Sequence, residues 1–527
     1  MNTVANASLI AALGAQAEQH AAAGFFEQAI ACHLRILELA PGRVDSLLQL
    51  SYLHSLAGHY RAAEQCLQRA QASPQASQAQ LLGMVARLRT FNDIPALLDV
   101  LRRVGPASRM PVPGLITAAS HLTYANLPEQ AIAYLDEARR ADPDYPPTLL
   151  ARAQVLMYLG RFDEAEQDIV RSQRRAPEIA QGYWLRAALG RQTRERNGAQ
   201  AIRRELARAG RMPADKALLE FALHKTLDDL GDHDQAWQAL MRGCAHKRGT
   251  LDYDPARTQR LFDALHALPP LPVAPAVSGS ARPIFIVGMH RSGTTLLEQM
   301  LCGSPQVKGI GELYDFTSAM RHATDHHCRG VLDEEIVRRA PTADLAAAGR
   351  RYLGSTAWRL QGQACFTDKL PSNFLNVGFI AAALPQARIL HMVRDPMETC
   401  FSNLRELFSD ANPYSYDLGE LADFHQRYRA LMAHWHARLP SRILDVSYAR
   451  LLREPEAVMA EVAAFCEVDY TPAMLSTEGR ARGVVTASAV QVRARPQVEP
   501  RPKWAPYAPQ LAALAERLAS TQFDATH

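Results

Sequence analysis

Five positions, Gly24, Gly58, Asn92, Asn126 and Gly160, stand 34 residues apart, and this period limits the fold more than any other feature of the chain. Five residues after each comes Ala29, Ala63, Leu97, Ala131 or Ala165, mostly small side chains where two helices must approach closely. An aromatic residue follows two after the glycine at Phe26, Tyr60 and Phe162, and a proline ends the unit at Pro41, Pro74, Pro143 and Pro177. Units of this size cannot bury an apolar face alone, so they stack into one continuous core. The third unit, with Asn92-Asp-Ile-Pro, departs from the pattern, and beyond Pro177 the register loosens. Leu230 to Ala236 predicts one further turn outside the 34-residue frame.

The spacing of glycine, aromatic, alanine and proline resembles the tetratricopeptide repeat, a helix-turn-helix unit. The resemblance implies an α superhelix whose concave face binds peptide or protein. The plainer alternative is a scaffold that stiffens a dimer or packs on a second domain. Pro269 to Pro275 is proline-rich and is followed by Ser278-Gly-Ser280, the composition of a linker. We therefore divide the chain into a repeat domain over 1–265, a linker over 266–281 and a second domain over 282–527.

A chain of 527 residues is too long for one ordinary core, which independently predicts two or more domains. A net charge of +4 is too small to predict a nucleic-acid partner or a membrane surface. No apolar run reaches membrane-spanning length, and the first basic residue is Arg35, so neither a transmembrane segment nor a signal peptide is expected. The eight cysteines include no C-x-x-C pair, which predicts a reducing, cytoplasmic setting.

The second domain opens with a short apolar run, Ile284 to Val287, a turn from Gly288 to Thr295, and a helical run from Leu296 to Leu301. Strand, glycine turn and helix gather backbone N–H groups and a helix N-terminus around one point, which makes an anion site. Gly288 and Gly293 have the spacing of a nucleotide P-loop, but Thr294 stands where the lysine belongs and the positive charge is Arg291. Such a loop should hold a phosphate that is not itself transferred. Ala387 to Pro396 and Ser441 to Tyr448 read as two more strands. In open parallel sheets ligands sit at the carboxyl ends of strands, so Arg291 and Arg394 are expected to face one crevice.

At these residues the chain resembles the sulfotransferases that use 3′-phosphoadenosine 5′-phosphosulfate (PAPS), most closely the tyrosylprotein enzymes and their bacterial tetratricopeptide-fused relatives. The resemblance implies a three-layer, P-loop-like α/β domain with a parallel sheet. It makes Arg291, Ser292, Gly293, Thr294 and Thr295 the loop for the 5′-phosphosulfate, and Arg394 and Ser402 the contacts of the 3′-phosphate. Arg405 lies one position from a second arginine of the relatives. Glu312 stands at the place of their catalytic glutamate, and Lys369 at that of the lysine steadying the sulfuryl group. Tyr448, Ser488 and Lys503 match cofactor contacts, the last two in a late loop. PAP would be the product.

The chemistry asks for these residue types independently. Sulfuryl transfer to a hydroxyl needs a base, for which Glu312 is the candidate, and groups that stabilise the leaving oxygen, for which Arg291, Lys369 and Ser488 are candidates. No step requires a metal. His322, His326 and Cys328 have spacing that could ligate zinc, but no second cluster accompanies them. The expected activity is sulfuryl transfer from PAPS to a hydroxyl of a protein or peptide, with tyrosine among the candidates; a homodimer is compatible with the chain. The alternatives are a carbohydrate or small-molecule acceptor, a non-catalytic repeat scaffold, and a P-loop kinase, which Thr294 disfavours.

Overall fold

The computed structural model describes residues 2–277, 279, 281–476, 485 and 501–519. Five helical hairpins come first: Asn2–Ala22 with Phe26–Leu39, Val44–Leu56 with Tyr60–Gln71, Gln78–Phe91 with Ile94–Val104, Val112–Tyr124 with Pro128–Ala141, and Pro146–Leu159 with Phe162–Arg175. The period marks the turn inside each hairpin. Gly24, Gly58, Asn92, Asn126 and Gly160 all have positive φ, a conformation open to glycine and tolerated by asparagine. Ala29, Ala63, Leu97, Ala131 and Ala165 are fully buried where the paired helices touch. The turn expected at Leu230 to Ala236 joins helices Pro213–Asp229 and His233–Arg248 through Gly231, φ 80°.

The second part is a parallel sheet of five strands: β1 (Arg282–Val287), β2 (Val307–Gly309), β3 (Cys365–Asp368), β4 (Arg388–Val393) and β5 (Ile443–Ser447). Their order is β2-β3-β1-β4-β5. All four pairings are parallel, so every crossover runs over a face of the sheet and both faces are covered. Ile284 and Ile286 lie in one apolar cluster while Phe285 and Val287 lie in the other, the alternation a strand imposes. The connections lead outward on one side of β1 and then cross to the other, which places a ligand crevice at its carboxyl end. Only three strands are announced by the sequence. β2 and β3 have three and four residues, too few to show a period, and β3 runs straight into Lys369.

The two parts share a core. Phe262 packs on Phe374 and Phe424, Phe221 meets Tyr416, and Trp237 lies against Tyr507. At about 1.5–3 kcal/mol for each large apolar side chain, uncovering three such anchors would cost roughly 5–9 kcal/mol, the scale of a whole domain's net stability. The proline-rich segment before β1 is not merely draped outside: Leu268 and Ala274 are buried, and Ala274 N–H donates to Ala382 O at 2.8 Å.

Candidate active site

The loop after β1 is a tight cradle. Gly288 has φ 151° and Gly293 φ 107°; a Cβ at Gly288 would sit 2.8 Å from the Met392 carbonyl oxygen, and one at Gly293 2.5 Å from the Tyr448 ring. Neither position can carry a side chain without moving backbone or ring. Between them Arg291 adopts φ 67° although it is not glycine, a strained conformation held by what surrounds it. Helix Thr294–Leu301 starts at once, its first residues Thr294 and Thr295 both buried.

Four expected cofactor residues converge here. Arg291 Nε donates to Ser402 Oγ at 3.3 Å, Arg394 Nη1 donates to the Arg291 carbonyl at 3.0 Å, and the Arg394 guanidinium lies 4.6 Å over the Tyr448 ring. Asp395 caps helix Pro396–Leu404 through Glu398 N–H at 2.9 Å, which fixes where Arg394 leaves β4 and where Ser402 arrives. Burial pushes the Arg291 pKa down, Glu406 opposes this, and Arg394 and Arg405 add to it. The three guanidiniums have carboxylate partners in Glu406, Glu398 and Asp228. A phosphate arriving here would exchange partners with these carboxylates. The cradle fits a phosphate: Ser292 Oγ and His290 Nδ1 are buried without a hydrogen-bond partner among the described residues, in a loop that already turns its backbone around one point.

Lys369 follows β3 directly and is fully buried, and its Nζ donates to Glu312 Oε1 at 2.5 Å. The Glu312 side chain keeps 28% of its surface exposed, so the carboxylate has one side towards the buried lysine and one towards solvent. The pair adjoins the cradle. Burial, then Lys369, then Arg291 push the His290 pKa down to about 3, which makes its imidazole neutral in ordinary buffers. Its carbonyl accepts from Asn403 Nδ2 at 2.7 Å, so His290 ties the loop to the Ser402 helix.

Several supporting residues escape a reading of the sequence. Glu298, on helix Thr294–Leu301, is buried, and its Oε1 accepts from Gly311 N–H at 3.0 Å and Thr367 Oγ1 at 2.8 Å. An acid in the apolar run Leu296-Leu297-Glu298-Gln299-Met300 was the available signal. Behind the cradle, the Tyr428 hydroxyl bonds His391 Nε2, while His391 Nδ1 and His436 Nε2 each lie 2.7 Å from Asp445 Oδ1. Those two histidines and Asp445 hold their donor atoms within 4.8 Å of one another and already bond each other. The trio weighed for zinc is scattered: His322 faces Glu64, His326 bonds Asp333, and Cys328 Sγ bonds Gly330 O and accepts from Arg321. Of the remaining expected site residues, Lys503 is exposed and Ser488 lies outside the described residues.

Comparison with known proteins agrees with both halves. Residues 283–472 match the Sulfotransferase family and residues 122–183 the tetratricopeptide repeat. An uncharacterized protein of Aquifex aeolicus is 31% identical over 318 residues, 58% of this chain; the chain spans only 41% of that relative's length. A putative protein-tyrosine sulfotransferase of Caenorhabditis briggsae is 24% identical over 197 residues, covering 36% of this chain and 68% of its own length. Among solved structures, the sulfotransferase domain of the Synechococcus PCC 7002 olefin synthase is similar over 47% of this chain and 99% of its own, at 19% identity and a TM-score of 0.28. The chain thus joins a region that matches the tetratricopeptide repeat to a domain that matches the Sulfotransferase family model.

Proposed function

We propose that this protein transfers the sulfuryl group of PAPS to a hydroxyl of a protein or peptide, tyrosine being the acceptor to try first, with Glu312 as the base. The observation that carries the reading is the Glu312–Lys369 pair, 2.5 Å apart beside a glycine cradle built for an anion. Bound PAPS would supply an electrophilic sulfuryl group and leave as PAP. Arg291 and the backbone of Ser292, Gly293, Thr294 and Thr295 would hold its 5′ end, and Arg394, Ser402 and Tyr448 its 3′-phosphate. Lys503 and Ser488 belong to the same proposal as late-loop contacts.

The proton accounting follows from the pair. The acceptor oxygen forms a bond to sulfur as the bond from sulfur to the phosphate oxygen breaks, and the hydroxyl proton passes to Glu312. Lys369 holds that carboxylate in one orientation, which lowers the reorganisation needed at the moment of transfer. With the carboxylate protonated, the Lys369 ammonium is released to face the charge growing on the leaving oxygen. A protein acceptor is favoured by the repeat region and by the name of the Caenorhabditis relative. No helix among the described residues is long and apolar enough to cross a membrane, and no two of the eight cysteines are joined in a disulfide, which suits a reducing compartment such as the cytoplasm.

Two measurements test this. PAP without magnesium should raise the melting temperature, as binding to the native state alone requires. Labelled PAPS should pass its sulfur to protein, and Glu312→Gln should lose that transfer while still binding PAP. Label recovered only in sugars or small molecules would move the acceptor to those classes, and wild-type transfer by Glu312→Gln would remove the glutamate from its role.

A further inference from the structure

In a stack of helical hairpins the inner turn takes positive φ, which glycine adopts at no steric cost. Gly24, Gly58 and Gly160 obey, but the third and fourth turns carry Asn92 and Asn126, at φ 56° and 58°. Asparagine is the poorer residue for this conformation, so its side chains must do something glycine cannot. Both reach the segment around Glu312. Asn126 Nδ2 donates to the Glu312 carbonyl oxygen at 2.6 Å and lies 3.5 Å from that of Ile310. A Cβ on Gly311 would meet the same amide at 3.3 Å, so turn and asparagine are fitted closely. Burial pushes the Asp315 pKa up, and the Asn92 amide is among the groups that oppose this by favouring the charged carboxylate.

The preceding repeat continues the pattern. Arg61, three residues after Gly58, donates from its backbone to Asp325 Oδ1 at 2.8 Å and from its guanidinium to the carbonyls of His322 and Ala323. As the repeats advance along the chain, their partners step back from Asp325 through Asp315 to Glu312. The row of turns therefore runs antiparallel to the segment carrying the candidate base. That segment's backbone is tied on its other side too. Gly311 N–H goes to Glu298 and the Gly311 carbonyl accepts from Lys369 N–H at 3.0 Å, which leaves the Ile310 and Glu312 carbonyls to the repeats.

We infer that the turns of the repeat array position Glu312, with Asn126 as the positioning residue. The array thereby takes part in the reaction of the neighbouring domain. This rests on the reading of Glu312 as base. Asparagine at the fourth turn is then a functional substitution within the repeat.

The full-length chain tests it with Asn126→Gly, which restores the residue the other turns use, and Asn126→Asp, which keeps the shape but removes the donor. The measured quantities are PAP released from PAPS, PAP affinity by calorimetry, and amide exchange over residues 310–314. Both variants should lose about tenfold in kcat, as one misplaced hydrogen bond predicts, with KM for PAPS and PAP affinity unchanged and faster exchange at 310–314. Combined with Glu312→Gln, Asn126→Gly should add no further loss, because both act through one group. Wild-type kcat in Asn126→Gly, or a loss that multiplies with that of Glu312→Gln, overturns the inference. A Glu312→Gln protein with the wild-type rate overturns the assignment of the base instead, so the two failures are distinguishable.

Discussion

The anion cradle follows β1, the candidate base follows β2 and meets Lys369 at the end of β3, and the two are built in opposite ways. The cradle's turn comes from one run of chain: Gly288, Arg291 and Gly293 lie between β1 and the helix that follows. Glu312 is held by distant groups: Glu298 through Gly311, Lys369 after β3, and Asn126 from the repeats. A site made of four segments has its shape only when the whole chain is folded, and this explains why the repeats share a core with the sheet rather than hanging from a tether.

If this contrast holds, damage to the two halves should separate. Glu312→Gln should cost on the order of 10²–10⁴ in kcat, the range for a lost general base, with PAP affinity unchanged by calorimetry. Gly293→Val should do the reverse at its root: the new side chain meets the Tyr448 ring and φ 107° disfavours it, so PAP should bind on the order of 100-fold more weakly. Normal PAP binding by Gly293→Val would break the comparison outright.

Smaller effects sharpen it. Glu298→Ala leaves Gly311 N–H and the Thr367 hydroxyl without their buried acceptor, which should cost about 2–4 kcal/mol in denaturant unfolding and also slow turnover. Glu298→Gln keeps an acceptor oxygen and should recover most of both. Equal losses in the two variants would mean that the charge of Glu298, and not its bonds, supports Gly311.

The smallest effect concerns the support behind the cradle. The hydrogen bond to Asp445 raises the His436 pKa above its ordinary 6.5, and the two histidines hold the Asp445 carboxyl below the usual range against the effect of its burial. The His436 contribution is complete below pH 6.5 and fades as pH rises through its folded value; that of Asp445 is present above its unfolded value, about 3.9, and fades in stronger acid. Both groups are partly exposed, so no more than about 1 kcal/mol is at stake. Melting temperatures at pH 5.5 and 8 should differ less in Asp445→Asn than in the parent, and an unchanged difference would remove the pair from the pH dependence.

Legibility followed the same division. The hairpin turns, the buried alanines, β1, β4, β5 and the cradle could be read because each is a periodic or contiguous pattern. Arg394 and Ser402 were found at a spacing of eight, and the helix between them turns that spacing into proximity to Arg291. β2 and β3 were too short to read, and Glu298 looked like a polar residue on an apolar helix. Asn126 reads in the sequence only as one more turn of the repeat, because a turn residue's partner in another part of the chain leaves no local trace.

The order of residues by itself determined the two architectures, the place of the anion loop and the absence of a P-loop lysine. Periodicity, glycine conformations and strand-turn-helix succession act over a few residues and are written out in sequence. Tertiary structure alone decided what holds Glu312 and how the repeats meet it. Asn126 and Glu312 are 186 residues apart, and a hydrogen bond over that separation depends on where stacked helices bring a turn, which no local pattern encodes.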